Sequence, residues 1–294
     1  MKIGYVCTNY NNSGFTRAAI ASLLGGTRPG DVRIVVVDNK SSDADVAGLR
    51  AIEREFAAVD MLLNPTNDGY FPGLNAGIAR LRTAHPAIEH VVIGNNDLVF
   101  PDDFVETLER HRDVLDAWAV VAPDIVRADG FHQNPHVLHP IGAFRRLMWD
   151  VYYLSRSTAF AIKHAARLSK RVTAREEMHV SHALHYTAGP IEQGFGACYI
   201  LGPMFFQHFT KLHAPTFLMH EEFFLTEQVR TIGQSVYFDP RFKVHHHDHA
   251  TTDRLPSRRR WEMARDAHRV YKGYVAMSAA ERRARIVGDS GRAS

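Results

Sequence analysis

The sequence predicts an α/β fold with a mostly parallel sheet, a helical insertion and a C-terminal helical tail. Three observations carry that prediction. Short β-branched runs alternate with amphipathic segments through residues 1–125, and helices set between apolar strands imply parallel pairing by right-handed crossovers. From about residue 128 to 190 the alternation stops, and a predominantly helical insertion is the simplest reading. Past residue 256 the chain turns charged and helix-prone, opening on Arg258, Arg259 and Arg260.

Taken in order, residues 2–8 read as the first strand, with no apolar stretch long enough for a secretory signal, and residues 15–24 as the helix behind it. Residues 32–38 form an apolar, β-branched strand ending in Asp38, and 43–56 the amphipathic helix that follows. A short strand at 61–63, a helix at 73–82, a strand at 90–93, a helix at 102–115 and a strand at 118–122 repeat the pattern. After the insertion come an apolar segment at 194–206, a helix at 221–232 and a strand at 235–238. The expected organisation is one unit over residues 1–250, interrupted at about 128–190, and a tail over 251–294.

Composition limits what this fold serves. With 45% hydrophobic and 23% charged residues, the chain matches an ordinary globular enzyme and not a disordered segment. A formal charge of +3 supplies no global field, so nucleic acid is not an expected partner. Cys7 and Cys198 match no metal-ligand or redox spacing, which fits a reduced cytoplasmic protein without a disulfide. No run of about 18 apolar residues occurs, so a spanning helix is not expected. Between residues 145 and 171, however, seven Lys or Arg stand against one acid, Asp150. That stretch reads either as a solvated face or as a cationic one that meets a membrane surface, a lipid diphosphate or an acidic saccharide. Trp149, Tyr152 and Tyr153 sit among the charges.

In open parallel sheets, ligands bind beyond the carboxyl ends of the strands. Three such loops here are polar: one opens on Thr8 and Asn9, one runs from Asp38 to Asp43, and one holds Asn95, Asn96 and Asp97. None carries the G-x-G-x-x-G or P-loop spacing of nicotinamide or NTPase sites. They offer carboxylates instead, suited to ribose hydroxyls, base N–H groups or a divalent cation. Asp97 is the strongest candidate ligand for Mg²⁺ or Mn²⁺, which prefer oxygen donors, with a helix cap as its alternative role. Asp38 has the same two readings, and Asp43 reads as a cap.

The blocks Tyr5 to Asn11, Val35 to Asp43, Asn64 to Gly69, Gly73 to Gly77 and Asn95 to Asp97, in this order and spacing, resemble glycosyltransferase family 2. The resemblance is to its rhamnosyltransferase-like branch and implies a GT-A-like nucleotide-binding fold. It continues in Gly194 to Leu201, like the family's acceptor-side segment, and in Glu221 and Glu222, where the family has a Glu-Asp pair. The resemblance implies an inverting transferase that uses a nucleotide-diphosphate sugar with Mn²⁺ or Mg²⁺. It implies that Thr8, Asn9, Asp38, Asn67, Asn75 and Asn96 line the nucleotide-sugar site, that Asp97 binds metal, and that Glu222 or Glu221 is the base, with Glu222 preferred.

The chain departs from the family in its second acid, Glu222 for Asp, in Gln228 for a frequent Arg and in Phe224 for a frequent acid. Residues 128–190 align with no part of the pattern. His245, His246, His247 and His249 form the densest histidine cluster. The family has a histidine after its last strand, and His246 is the closest match, implying a hand in holding metal or diphosphate; the alternative is a polar loop, with at least two of the four histidines expected to meet water. Residues 8–14 contain no Lys or Arg, which weighs against a sugar-phosphate nucleotidyltransferase. A non-catalytic nucleotide-sugar or glycan-binding protein is the other alternative. The expected acceptor is a saccharide or lipid-linked hydroxyl in polysaccharide or glycoconjugate synthesis.

Overall fold

The computed structural model describes residues 1–162, 164, 185–247 and 257–291. Strands and helices alternate at first: β1 (Ile3–Asn9), α1 (Ser13–Gly25), β2 (Val32–Asp38), α2 (Asp43–Glu55), β3 (Val59–Leu63), α3 (Tyr70–Ala84) and β4 (His90–Asn95). These strands lie side by side in the order β3-β2-β1-β4, all parallel. Strand periodicity explains the two layers around them. Ile3, Tyr5 and Cys7 pack with Ile20 and Leu23 of α1, while Val6 packs with Leu74, Ile78 and Leu81 of α3. Each fully buried side chain of this kind stabilises the fold by about 1.5–3 kcal/mol.

The next elements are β5 (Leu98–Val99), α4 (Phe104–Arg110), α5 (Arg112–Ala117), β6 (Val120–Arg127) and α6 (Ala143–Leu154). Then come β7 (Gly189–Ile191), β8 (Cys198–Leu201), α7 (Pro203–His208), α8 (Glu221–Arg230) and β9 (Val236–His246). Here the sheet is mixed. β8 lies antiparallel between β4 and β6, β9 runs parallel to β6, and β5 and β7 pair antiparallel with β9. The helix expected at 102–115 is two helices that meet at His111. The strand expected at 235–238 continues to His246, past a register shift beside Pro240.

Of the expected insertion, α6 is described; Lys163, Arg167, Lys170 and Arg171 of the basic stretch lie outside the described residues, as do Asp248 and His249 of the histidine cluster. The tail forms α9 (Ser257–Ala276) and α10 (Ala279–Ser290), the latter opened by a reciprocal Ser278–Glu281 capping box. Both helices close onto α8: Phe223 and Phe224 pack with Tyr271, Tyr274 and Ile286. His213 bridges Asp289 at 2.7 Å and the Tyr274 hydroxyl at 2.9 Å. Among the described residues, no helix is long and apolar enough to cross a membrane.

Candidate functional site

The carboxyl ends of β1, β2 and β4 are tied together by buried amides. Asn9 Nδ2 donates to Asp38 Oδ1 at 3.0 Å and to Asp45 Oδ2 at 2.7 Å, while its Oδ1 accepts from Thr16 Oγ1 and from Asn96 Nδ2. Asp38 also accepts from the Ser41 amide and hydroxyl. Its carboxylate is therefore consumed inside the loop, and Asp38 does not line the adjoining cavity. That cavity, of about 480 Å³, opens beyond the strand ends and is bordered by Thr8, Asn9, Asn67, Asn96, Asp97, Glu221, Glu222 and His246. Eight of the ten residues singled out from sequence thus meet in one place. Asn75 is the other that does not: Leu212, 137 positions away, donates its N–H to the Asn75 amide oxygen at 2.7 Å and accepts from its Nδ2 at 2.9 Å.

Asp97 and His246 face each other because β5 pairs with β9, setting Leu98 opposite His246. His246 Nδ1 lies 2.7 Å from Gln133 Oε1, an acceptor, which assigns the ring proton to Nδ1 and leaves Nε2 with a lone pair. Nε2 accepts from Asn95 Nδ2 at 3.2 Å and sits 3.1 Å from Asp97 Oδ1. That oxygen is buried and has no hydrogen-bond partner. Two converging lone pairs in a buried place suit a cation, and one oxygen with one imidazole nitrogen suits Mn²⁺ better than Mg²⁺. Among the described residues no three His, Cys, Asp or Glu side chains gather as a metal site. A cation held here therefore draws its remaining ligands from substrate oxygens or water.

The acidic pair follows a strained turn. Met219 and His220, neither glycine, have φ of 78° and 66°, conformations that typically cost about 1–3 kcal/mol each and cluster at functional sites. The turn makes the two carboxylates diverge. Glu221 folds back to accept the Met219 N–H at 2.7 Å, whereas Glu222 reaches the Gly196 N–H at 3.2 Å. A side chain at Gly196 would crowd Glu222, its Cβ falling 2.8 Å from Oε1. Tyr70 completes this wall by donating its hydroxyl to the Gly196 carbonyl at 2.9 Å. Burial, reinforced by the Glu222 charge, raises the Glu221 carboxyl to about 8, so at neutral pH it is mainly protonated. Burial also lowers the His220 imidazole to about 4, with His268 adding to the effect. A smaller cavity of about 130 Å³ adjoins the first at His220 and Glu222, walled by Trp149 of α6 and Tyr271 of α9.

Sequence reasoning missed Gln133, whose loop supplies the histidine's orienting acceptor, and Arg259 and Met263, which border the main cavity from α9. Their i, i+4 spacing on one helix face is the only signal they leave. Of the histidine cluster, His246 is buried while His245 and His247 are exposed, the alternation of a strand and not of the expected loop.

The family model for glycosyl transferase family 2 matches residues 6–169, which carries it into the segment expected to align with nothing. Comparison with curated protein sequences gives no match. Among solved structures, GalNAc-T7 with UDP, GalNAc and Mn²⁺ is 12% identical over 84% of this chain and 44% of its own, with a TM-score of 0.53. The mannosyltransferase PcManGT from Pyrobaculum calidifontis, in complex with GDP-Man and Mn²⁺, is 14% identical over 98% of this chain and 68% of its own, with a TM-score of 0.52. S. aureus TarS 1-349 is 18% identical, and the chain covers only 37% of its length, at a TM-score of 0.38. The first two share the GT-A arrangement of a central sheet between helices. With the family model spanning more than half of its length, the chain belongs to glycosyl transferase family 2.

Proposed function

We propose that the protein is an inverting, metal-dependent glycosyltransferase of the rhamnosyltransferase-like branch. In this reading it moves a sugar from a nucleotide-diphosphate donor to a saccharide or lipid-linked hydroxyl in polysaccharide or glycoconjugate synthesis. The observation that carries the reading is the meeting, in one cavity, of the Asp97–His246 pair with the Glu222 carboxylate. The UDP, GalNAc and Mn²⁺ of one structural neighbour and the GDP-Man and Mn²⁺ of the other support it.

Thr8, Asn67 and Asn96 face the donor, and Asn9 holds the strand ends that carry them. Asp38 and Asn75 act by positioning loops, since their polar atoms are engaged within the protein. Asp97 and His246 would hold Mn²⁺ or Mg²⁺, which when bound neutralises charge growing on the diphosphate leaving group. Arg259, exposed at the cavity's edge and without an ion pair among the described residues, adds a second positive charge there. Glu222 takes the acceptor hydroxyl proton as that oxygen bonds to the anomeric carbon and the bond to the diphosphate breaks on the opposite side. Glu221 is kept mainly neutral by burial, which makes it the poorer base of the two. Residues 1–250 form the catalytic unit, and the tail of 251–294 closes it through α9. The protein works in the cytoplasm, with peripheral membrane contact through residues 145–171.

The product's anomeric configuration tests the mechanism. NMR of the product formed from an α-linked donor is expected to show a β-linkage. Retention of the donor configuration would exclude Glu222 as a base in a single displacement.

A further inference from the structure

Four of the nine exposed large hydrophobic side chains among the described residues fall within 144–160: Phe144, Leu147, Leu154 and Phe160. The first three share one face of α6, spaced i, i+3 and i+10, with Val151 filling the gap at i+7. Phe144 is 76% exposed and Leu154 73%, well beyond what a helix packed on a core leaves in water. The other side of α6 is fully occupied. Trp149 and Tyr153 meet His268 and Tyr271 of α9, and Asp150 pairs with His268 at 2.8 Å and Lys272 at 2.9 Å. α6 is therefore fixed to the fold by one face while it presents an apolar stripe on the other.

The charges beside the stripe select its partner. Asp150, the lone acid of this stretch, is already neutralised by α9; Arg156 is exposed without an ion pair among the described residues, and Arg145, also exposed, lies over the Trp149 ring at the edge of the small cavity. A second copy of the chain would bring the same cations face to face, and this repulsion disfavours self-association. An anionic lipid surface instead meets both demands, since its headgroups pair with the guanidinium groups and its acyl boundary takes up Phe and Leu.

We infer that the outward face of α6, through Phe144, Leu147 and Leu154 with Arg156 beside them, docks the enzyme flat on an anionic membrane. This deepens the peripheral contact proposed above by naming the contacting residues. Trp149, on the opposite face of the same helix, walls the small cavity beside Glu222, so α6 stands between that cavity and the docked surface.

Co-sedimentation of the full chain with vesicles tests the inference. Binding is expected to mixed phosphatidylglycerol–phosphatidylcholine vesicles at low salt, to weaken in 0.5 M salt, and to be nearly absent on pure phosphatidylcholine. Replacing Phe144, Leu147 and Leu154 together with Ser should abolish binding, and Arg156→Gln should weaken it about five-fold at low salt. Equal binding by wild type and the triple variant would overturn the inference, as would equal binding to charged and uncharged vesicles. A shift of the wild type to a dimer that the triple variant abolishes, without vesicle binding, would assign the face to self-association instead. Thermal stabilisation by nucleoside diphosphate with Mn²⁺ separates the two levels. It persists in the triple variant if only docking fails, and is absent from the wild type if the transferase reading is at fault.

Discussion

At the scale of the residue, the site rests on two neighbouring carboxyl groups made chemically unlike by their surroundings. Glu222 is aimed at the Gly196 N–H, and replacing it with Gln keeps its size while removing its basicity. Glu222→Gln is expected to slow transfer by about 10²- to 10⁴-fold while donor binding survives, measured as nucleoside diphosphate release and donor affinity. Near-normal turnover would return the role of base to Glu221. Glu221 makes a separate prediction through pH. Its folded-state value, about 8, lies above the ordinary 4.5, so between these values the folded protein holds a proton that the unfolded chain has released. Stability from this group is complete below about 4.5 and is lost as pH rises through about 8. Glu221→Gln should remove that decline, which urea midpoints measured from pH 5 to 9 would report. The types and order of these residues were legible in the sequence, because the family pattern lists them; their hydrogen bonds were not. Asn75 and Asp38 matched ligand positions, yet each is engaged by backbone or loop groups whose approach depends on tertiary structure.

Elements decide where those residues meet. The alternation of strand and helix made the parallel half of the sheet readable up to β4, because each strand there is a continuous apolar run. β9 was cut short in that reading since Pro240 interrupts it, and proline normally marks an edge or a bulge. The structure accommodates it at the shift between Pro123 and Asp124 of β6, beyond which Phe242, Val244 and His246 point inward and Arg241, Lys243 and His245 outward. That period of two was present in the sequence and explains why His246, and not its neighbours, reaches Asp97. The loop before α3 has an equally specific requirement. Gly69 has φ of 101°, and a Cβ there would fall 2.0 Å from the Phe217 carbonyl oxygen, which also accepts the Tyr70 N–H at 2.9 Å. Gly69→Ala is expected to destabilise the protein by about 1–3 kcal/mol and to displace the turn leading to Met219 and His220. An unchanged urea midpoint would show that the two loops move apart freely.

For the whole molecule, the N-terminal sheet supplies the amide-rich strand ends of the cavity, the turn before α8 supplies the acids, and α9 closes the far wall. The tail was legible as helix but not as a wall of the cavity. Arg259 and Met263 reach it only because Phe223, Phe224, Tyr271 and Tyr274 clamp α9 onto α8. Long-range aromatic packing of this kind leaves no local pattern to read. Donor binding is proposed to require a cation, which Asp97 and His246 would hold. Thermal unfolding of the wild type and of Asp97→Asn, each with UDP, GDP, dTDP or CDP and with or without Mn²⁺, tests it most directly. One nucleotide with Mn²⁺ should stabilise the wild type by about 2.7 kcal/mol at a concentration 100-fold above its Kd. That gain should vanish without Mn²⁺ and in Asp97→Asn, whose unliganded protein remains folded. Equal stabilisation of both proteins, with or without the metal, would contradict the assignment.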